Sequence, residues 1–317
     1  MPSSETREPW DRALWAIAVL LSLASLVALR SASATLNPLL MWKQAIWVAM
    51  AIVLGSLLAR SPYTRWTDSS FIWCGAMALL LMGVLAAGTM KLGATRWITI
   101  VGVSIQPSEL AKLTTACCLA RYLGTQPLPL SVRSLCISGA LAGVPALLIF
   151  LQPDLGTSSV LGMIWLAGVW AAGISRRHLL VLTVAAILLA PVGWHLLADY
   201  QRTRLSVFLN PHTDPLGAGY TIIQSQIAVG SGQWFGRGWM AGTQNQLNFL
   251  PERHADFLYS VIGEEWGFLG SGLIVLCFAG LVWRGIVIAR ENSEPQGRLL
   301  AAMLVAWIGY QAIINMG

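Results

Sequence analysis

Charge is what this sequence has least of. Only 11% of its 317 residues are Asp, Glu, Lys or Arg, against 56% apolar, and the mean hydropathy is +0.65. A water-soluble enzyme folded from such a chain would expose far more apolar surface than water tolerates, which excludes a soluble multi-domain architecture. Short segments of alternating hydrophobicity are missing too, and with them the outer-membrane β-barrel. Residues 1–12 are polar and of mixed charge. The N-terminus thus lacks the marks of a cleavable signal, and the first span is expected to stay as an anchor. Cysteines at metal-ligand spacing are absent: Cys74, Cys117, Cys118, Cys136 and Cys277 all fall inside apolar runs and read as small core residues.

What the sequence does have is a recurrence of long apolar runs. A helix needs about 20 residues to cross the hydrocarbon of a bilayer. Runs of helical character recur near 13–29, 45–59, 70–88, 108–120, 134–151, 157–174, 179–197, 258–283 and 299–316. They predict an all-α polytopic membrane protein with nine transmembrane helices and one long outer loop near 198–257. With the N-terminus in the cytoplasm, Arg7, Arg12, Arg60, Arg65, Arg121, Arg133, Arg176, Arg177, Arg284, Arg290 and Arg298 fall inside, whereas the short outer loops hold Arg30, Lys43, Lys91 and Arg96. That asymmetry predicts a polytopic inner-membrane protein with a cytoplasmic N-terminus. It also accounts for the net charge of +6 without a nucleic-acid partner. Trp42, Trp97, Trp194 and Trp283 fall at predicted span ends, as an interfacial belt requires.

The outer loop is the first candidate for function, because a connection of about 60 residues is uncommon unless it binds or catalyses. It is rich in glycine (Gly217, Gly219, Gly230, Gly232, Gly236, Gly238, Gly242), which permits tight turns and close backbone approach to a ligand. Tyr220, Ile223 and Ile227 fall at helical spacing, so 220–229 is expected to form a short helix on the membrane surface. Gln106-Pro107-Ser108-Glu109 and Gln152-Pro153-Asp154 echo one another, each placing a proline and an acid at the outer end of a span; Pro107 suits the first turn of a helix.

Charged side chains at membrane depth are costly and therefore default functional candidates. Here they are Glu109, Lys112, Asp154, Asp256, Glu264 and Glu265. Glu109 and Lys112, three apart, share a helix face; they read either as a self-satisfied ion pair or as a polar cavity wall that holds substrate. Asp154 reads first as a helix cap. Asp256 lies where the outer loop dips into a span. A carboxylate half-buried there loses solvation, which favours a general base, although an N-cap role fits as well. Of Glu264 and Glu265, at most one can face a cavity, so the other is expected to meet a donor. Arg96, Arg202, Arg204 and Arg253 sit on the outer side against the charge trend. Guanidinium forks at these positions suit a phosphate-bearing ligand, or else headgroups and salt bridges with Asp199 and Asp214.

At these residues the sequence resembles the SEDS family (shape, elongation, division and sporulation), and within it the rod-shape RodA branch. The resemblance runs through Lys91-Leu-Gly-Ala-Thr-Arg96-Trp97, Gln106-Pro-Ser-Glu109-Leu-Ala-Lys112 and Gln152-Pro-Asp154-Leu-Gly156-Thr157. It continues through Asn210-Pro211, Gly219-Tyr220, Gly230-Ser231-Gly232, Gly242-Thr-Gln244, Phe249-Leu-Pro-Glu-Arg-His254 and Asp256-Phe257, and ends at Glu264-Glu265. The resemblance implies a peptidoglycan glycosyltransferase. Such a protein polymerises lipid II, a disaccharide-peptide on undecaprenyl pyrophosphate, at the outer face of the inner membrane during cell elongation, with a class B penicillin-binding protein that crosslinks the product. It further implies that Asp256 is the base on the acceptor hydroxyl. Glu109 and Lys112 match the polar pair of the central cavity, and Asp154 the acid of the Gln-Pro-Asp motif. These three, with Arg96, Arg202 and Arg204 on chemical grounds, are expected to bind substrate, the arginines through its pyrophosphate. Whether a divalent metal assists the pyrophosphate is not read from the residues.

Two departures from the family pattern stand out. Ala255 occupies a position where the family more often has threonine. The chain ends at Asn315-Met316-Gly317, where the family continues into a loop and a tenth span, so a single SEDS-type domain over 1–317 without that last span is expected. Two rival readings remain on sequence grounds: a flippase for lipid-linked precursors, which intramembrane acids suit equally well, and an inactive scaffold for a penicillin-binding protein. A flippase has no need of a carboxylate base on one face only.

Overall fold

The computed structural model describes residues 11–316 apart from 35–36, 88, 92–93, 101–102, 218 and 252. Arg7, Glu252, Gly317 and the Lys91 side chain therefore lie outside the described residues. The helices are α1 (Arg12–Ala32), α2 (Leu39–Ala59), α3 (Tyr63–Asp68), α4 (Ser70–Ala87), α5 (Pro107–Gly124), α6 (Val132–Leu151), α7 (Leu155–Ala171), α8 (Arg176–Leu196), α9 (Asp199–Leu209), α10 (Tyr220–Ser231), α11 (Thr243–Gln246), α12 (Leu258–Glu291) and α13 (Pro295–Met316).

Every apolar run expected to span is helical. Six helices (α1, α2, α6, α8, α12 and α13) are long and apolar enough to cross a membrane by length and composition, and α7 and most of α4 form shorter apolar helices. The remaining one, α5, carries Glu109, Lys112 and Arg121 within its eighteen residues. The protein is a multi-pass, all-α membrane protein. Local chemistry starts several of these helices. Asp11 accepts from Leu14 N–H at 2.9 Å before α1, Ser131 caps α6, and Pro107 takes the first position of α5, where its missing N–H leaves no orphan.

The chain divides into two compact units. One comprises residues 62–191 and 282–314. Its core is built from Leu81 of α4, Leu119 and Leu123 of α5, Ile149 of α6, Leu161 and Ile164 of α7, and Leu299 and Met303 of α13. The other unit comprises residues 1–61, 192–281 and 315–317. There Ala28 of α1 packs with Ile262 and Ile274 of α12, and Ala32 with Leu250 and Val261.

Three features depart from the sequence expectation. The segment between α4 and α5, expected as a short loop, holds an antiparallel sheet of β1 (Thr89–Lys91), β2 (Ala94–Ile100) and β3 (Val103–Ile105) in that order. Trp97 consequently lies on a strand and not at a span end. The long loop is folded for much of its length: besides the helix expected at 220–229, present as α10, it holds α9, a 3-10 turn at Pro211–Thr213 and α11. Finally, α12 runs for 34 residues but is broken at Gly267, whose φ of 68° and ψ of −161° no helix accommodates.

Candidate functional site

Two groups of charged residues emerge, one in each unit. In the first, α5 presents Glu109 and Lys112 one turn apart. Lys112 is fully buried, whereas the Glu109 side chain is 53% exposed, and the ammonium lies 2.8 Å from each carboxylate oxygen. Trp307 of α13 closes the far side, with its ring centroid 4.8 Å from Lys112 Nζ. The cation is sealed and the anion is open. Among the described residues, Ser108 Oγ and Thr115 Oγ1 are buried without a protein hydrogen-bond partner. Both lie on the Lys112 face of α5, four residues before it and three after. Buried polar atoms without partners are rare and point to solvent or ligand at that face. Sequence reasoning passed over this serine and threonine, although their helical spacing from Lys112 was a usable signal.

Asp154 occupies the N-cap of α7, accepting from Thr157 N–H at 3.1 Å and Thr157 Oγ1 at 3.0 Å. Gln106 Nε2 donates at 3.2 Å to Oδ2, the oxygen that Thr157 Oγ1 also reaches. Arg96 reaches from β2 to donate to the carbonyls of Gln152 (3.0 Å) and Pro153, with Asp154 3.9 Å away. Gln152 in turn donates to the Leu81 carbonyl at 2.9 Å. These residues were expected to bind substrate. Arg96 serves the turn between α6 and α7, where carbonyls at a helix end need donors, and Asp154 takes the cap position expected for it.

The second group surrounds α11 and α12. Glu264 is wholly buried and accepts from the backbone N–H groups of Gln244 (2.9 Å) and Asn245 (3.2 Å) at the start of α11. Glu265, 2% exposed, accepts from Ser31 Oγ and from Asn245 Nδ2 at 3.0 Å. At most one of these acids was expected to face a cavity and the other to meet a donor; in the structure both are bound to protein donors. Arg253 is also buried, donating to the carbonyls of Ala32 (2.9 Å) and Asn245. Burial pulls its guanidinium below its usual value, and it is a structural pin rather than an outward anion receptor. Loop glycines likewise serve the protein's own backbone. A side-chain carbon at Gly232 would lie 1.9 Å from the Gly263 carbonyl, so the close approach expected for a ligand is made to α12.

Asp256 lies on the turn between Arg253 and α12. It is exposed on the protein surface, which corrects the half-burial expected from its position. Among the described residues it has no hydrogen-bond or ion-pair partner. Arg202 donates to the carbonyls of Trp194 (3.1 Å) and His195 (2.8 Å) at the end of α8 and lies 3.5 Å from Asp199. The cation thus serves a helix C-terminus, where the dipole favours it. Arg204 is exposed. Among the described residues no group of three or more His, Cys, Asp or Glu is placed to hold a metal ion.

Comparison with known proteins adds to this geometry. The model of the FtsW/RodA/SpoVE cell cycle protein family matches residues 11–317. The chain is 38% identical over 274 residues to the peptidoglycan glycosyltransferase MrdB of Escherichia coli K12, covering 85% of this chain and 73% of that protein. A solved peptidoglycan synthase complex, described as coordinating polymerization and crosslinking, contains a chain matching 97% of this one over 86% of its own length, with TM-score 0.83 and 29% identity. The rod shape determining protein RodA of Thermus thermophilus matches with TM-score 0.71 and 26% identity, over 97% of this chain and 84% of that one.

Proposed function

As a member of the FtsW/RodA/SpoVE family this chain is a peptidoglycan glycosyltransferase, and we propose that Asp256 is the general base of the transfer. The observation that carries this reading is the state of that carboxylate. It is exposed and without a partner among the described residues, and it sits on a turn whose start is pinned through Arg253. A sugar hydroxyl is a poor nucleophile until a positioned base takes its proton, and an uncommitted carboxylate on a fixed turn can do so. The acceptor oxygen then attacks the anomeric carbon of the lipid-linked donor, the glycosidic bond forms, and the bond to the pyrophosphate breaks. Arg204 is an exposed cation of the outer segment suited to the charge that develops on the departing pyrophosphate. Glu109, neutralised from behind by Lys112, offers an acceptor to the hydroxyl or amide groups of the substrate.

The substrate of this reading is lipid II and the face is the outer one, with the N-terminus cytoplasmic as the Arg and Lys distribution requires. The partner is a class B penicillin-binding protein, in keeping with the matched synthase complex that couples polymerization to crosslinking. Purified protein supplied with lipid II and such a partner should form glycan polymer, and Asp256→Asn should not, while inserting and binding the partner normally. An Asp256→Asn variant that polymerises at the wild-type rate would remove the base from this account and leave the flippase and scaffold readings to be tested.

A further inference from the structure

The break in α12 is filled by a stretch of the long loop. Arg237 N–H and Gly238 N–H donate to the carbonyls of Glu264 and Glu265, both at 3.0 Å, and Phe268 N–H and Leu269 N–H donate to the carbonyls of Gln233 (2.7 Å) and Trp234 (3.2 Å). Gly236 has φ of +81°, and a side-chain carbon there would lie 2.1 Å from the Glu265 carbonyl; one at Gly267 would lie 2.3 Å from Gly236 N. Residues 233–238 are therefore held backbone to backbone against the helix, and the donors and acceptors that the break frees are satisfied. Their aromatic side chains turn outward. Trp234 is 63% exposed, Phe235 81% and Trp239 53%, and the exposed Phe268 of α12 meets Trp234 edge-on at 5.1 Å.

The position of the break along α12 says what faces these rings. From Gly267 to Trp283 the helix carries no charged side chain. At 1.5 Å per residue this run covers about 26 Å, close to the thickness of a hydrocarbon core. Arg284 closes it at one end, and Glu264 and Glu265 lie just beyond the other. Gly267 thus marks the boundary opposite Arg284. A non-helical backbone is tolerated at that depth only when protein groups satisfy it, and tryptophan with its polar N–H is the residue enriched there. The exposed faces of Phe268, Leu269 and Leu276 continue the aromatic surface directly onto the span. No acidic residue occurs between Gln233 and Ala241.

We infer that residues 233–240 form an interfacial anchor, in which Trp234, Phe235 and Trp239 enter the headgroup and acyl boundary of the bilayer. The occupant of this surface is lipid. The inference is independent of the role of Asp256. It can be tested on the full chain alone in nanodiscs of phosphatidylethanolamine and phosphatidylglycerol. Phe235 is replaced by a trifluoromethyl-phenylalanine, a change that leaves the five native cysteines and the glycine contacts in place. The fluorine resonance should be broadened several-fold more by a nitroxide-bearing lipid than by an aqueous gadolinium chelate, as for the same label at Leu276. The same label at His212, exposed in the loop, should show the reverse. A label at position 235 that follows His212 overturns the inference and marks the patch as a protein-docking surface. A second label at Trp239 guards against a purely local effect and should behave as position 235 does.

Discussion

Glu109 and Glu265 are both glutamates within membrane-type helices, and they are satisfied in different ways. In the α5 unit the partners are local. Glu109 holds Lys112 three residues on, and Asp154 caps Thr157 three residues on. In the α12 unit the partners are remote. Glu264 binds donors 19 to 21 residues earlier, Glu265 binds Ser31 across 234 residues, and Arg253 reaches Ala32 across 221. The local arrangement leaves one carboxylate half exposed at the protein surface. The remote arrangement consumes both acids and fixes the frame of the turn from which Asp256 projects. Around α12 the buried acids are thus bound to protein donors, and the exposed Asp256 has no partner among the described residues.

The largest effect should come from that exposed acid. Asp256→Asn keeps size and hydrogen-bonding capacity and is expected to lower lipid II polymerisation by about 10²–10⁴-fold, the usual contribution of a general base, with melting temperature unchanged. Unaltered turnover would collapse the distinction between the two kinds of acid. Next, Glu264→Ala strands the α11 donors in a buried site and should destabilise the fold by about 2–4 kcal/mol. The readout is thermal unfolding in detergent, together with protease cleavage between residues 243 and 257. Glu264→Gln, which still offers one acceptor oxygen, should lose less. If the glutamine variant unfolds as readily as the alanine one, the carboxylate is not acting through these hydrogen bonds.

A smaller effect sharpens the α5 side of the comparison. Because Lys112 is buried and Glu109 is half exposed, the two single substitutions should not be equivalent. Glu109→Gln leaves a sealed ammonium without its counter-charge, whereas Lys112→Met leaves a carboxylate that water can still solvate. Glu109→Gln should be the less stable variant by about 1–3 kcal/mol, with the double variant falling between it and the wild type. Equal melting temperatures for the two single variants would refute the sealed-cation picture, while a stable but inactive double variant would place the pair on substrate. The smallest effect belongs to Arg202→Ala. Its guanidinium serves the partly exposed end of α8, so stability should change by no more than about 0.5 kcal/mol and polymerisation by less than about twofold. A larger loss of polymerisation in the lipid II assay would return Arg202 to the substrate.

Much of the fold was legible because its cause is compositional. An uncharged run of about 20 residues has few alternatives to a membrane helix, and each run read from the sequence is helical in the structure. Caps and local pairs were legible too, since Asp154, Pro107 and the Glu109–Lys112 pair depend on residues within one turn. The small sheet of 89–105 was missed. Its strands are three to seven residues long and lie next to an apolar run that dominates any hydropathy pattern. The glycines of the long loop were recognised as permitting close approach, yet the sequence could not say that α12 is what approaches.

The sequence by itself determined the membrane class, the positions of the helices, the family and the set of charged residues worth examining. The family follows from motifs matched along residues 91–265, and the others from composition or from spacing within a single element. Only the tertiary structure decided which charges are already spent. Arg253, Glu264 and Glu265 look as available in the sequence as Asp256 does. Whether a buried charge is free depends on donors and acceptors brought together from far along the chain, and desolvation makes those partners obligatory once the groups leave water.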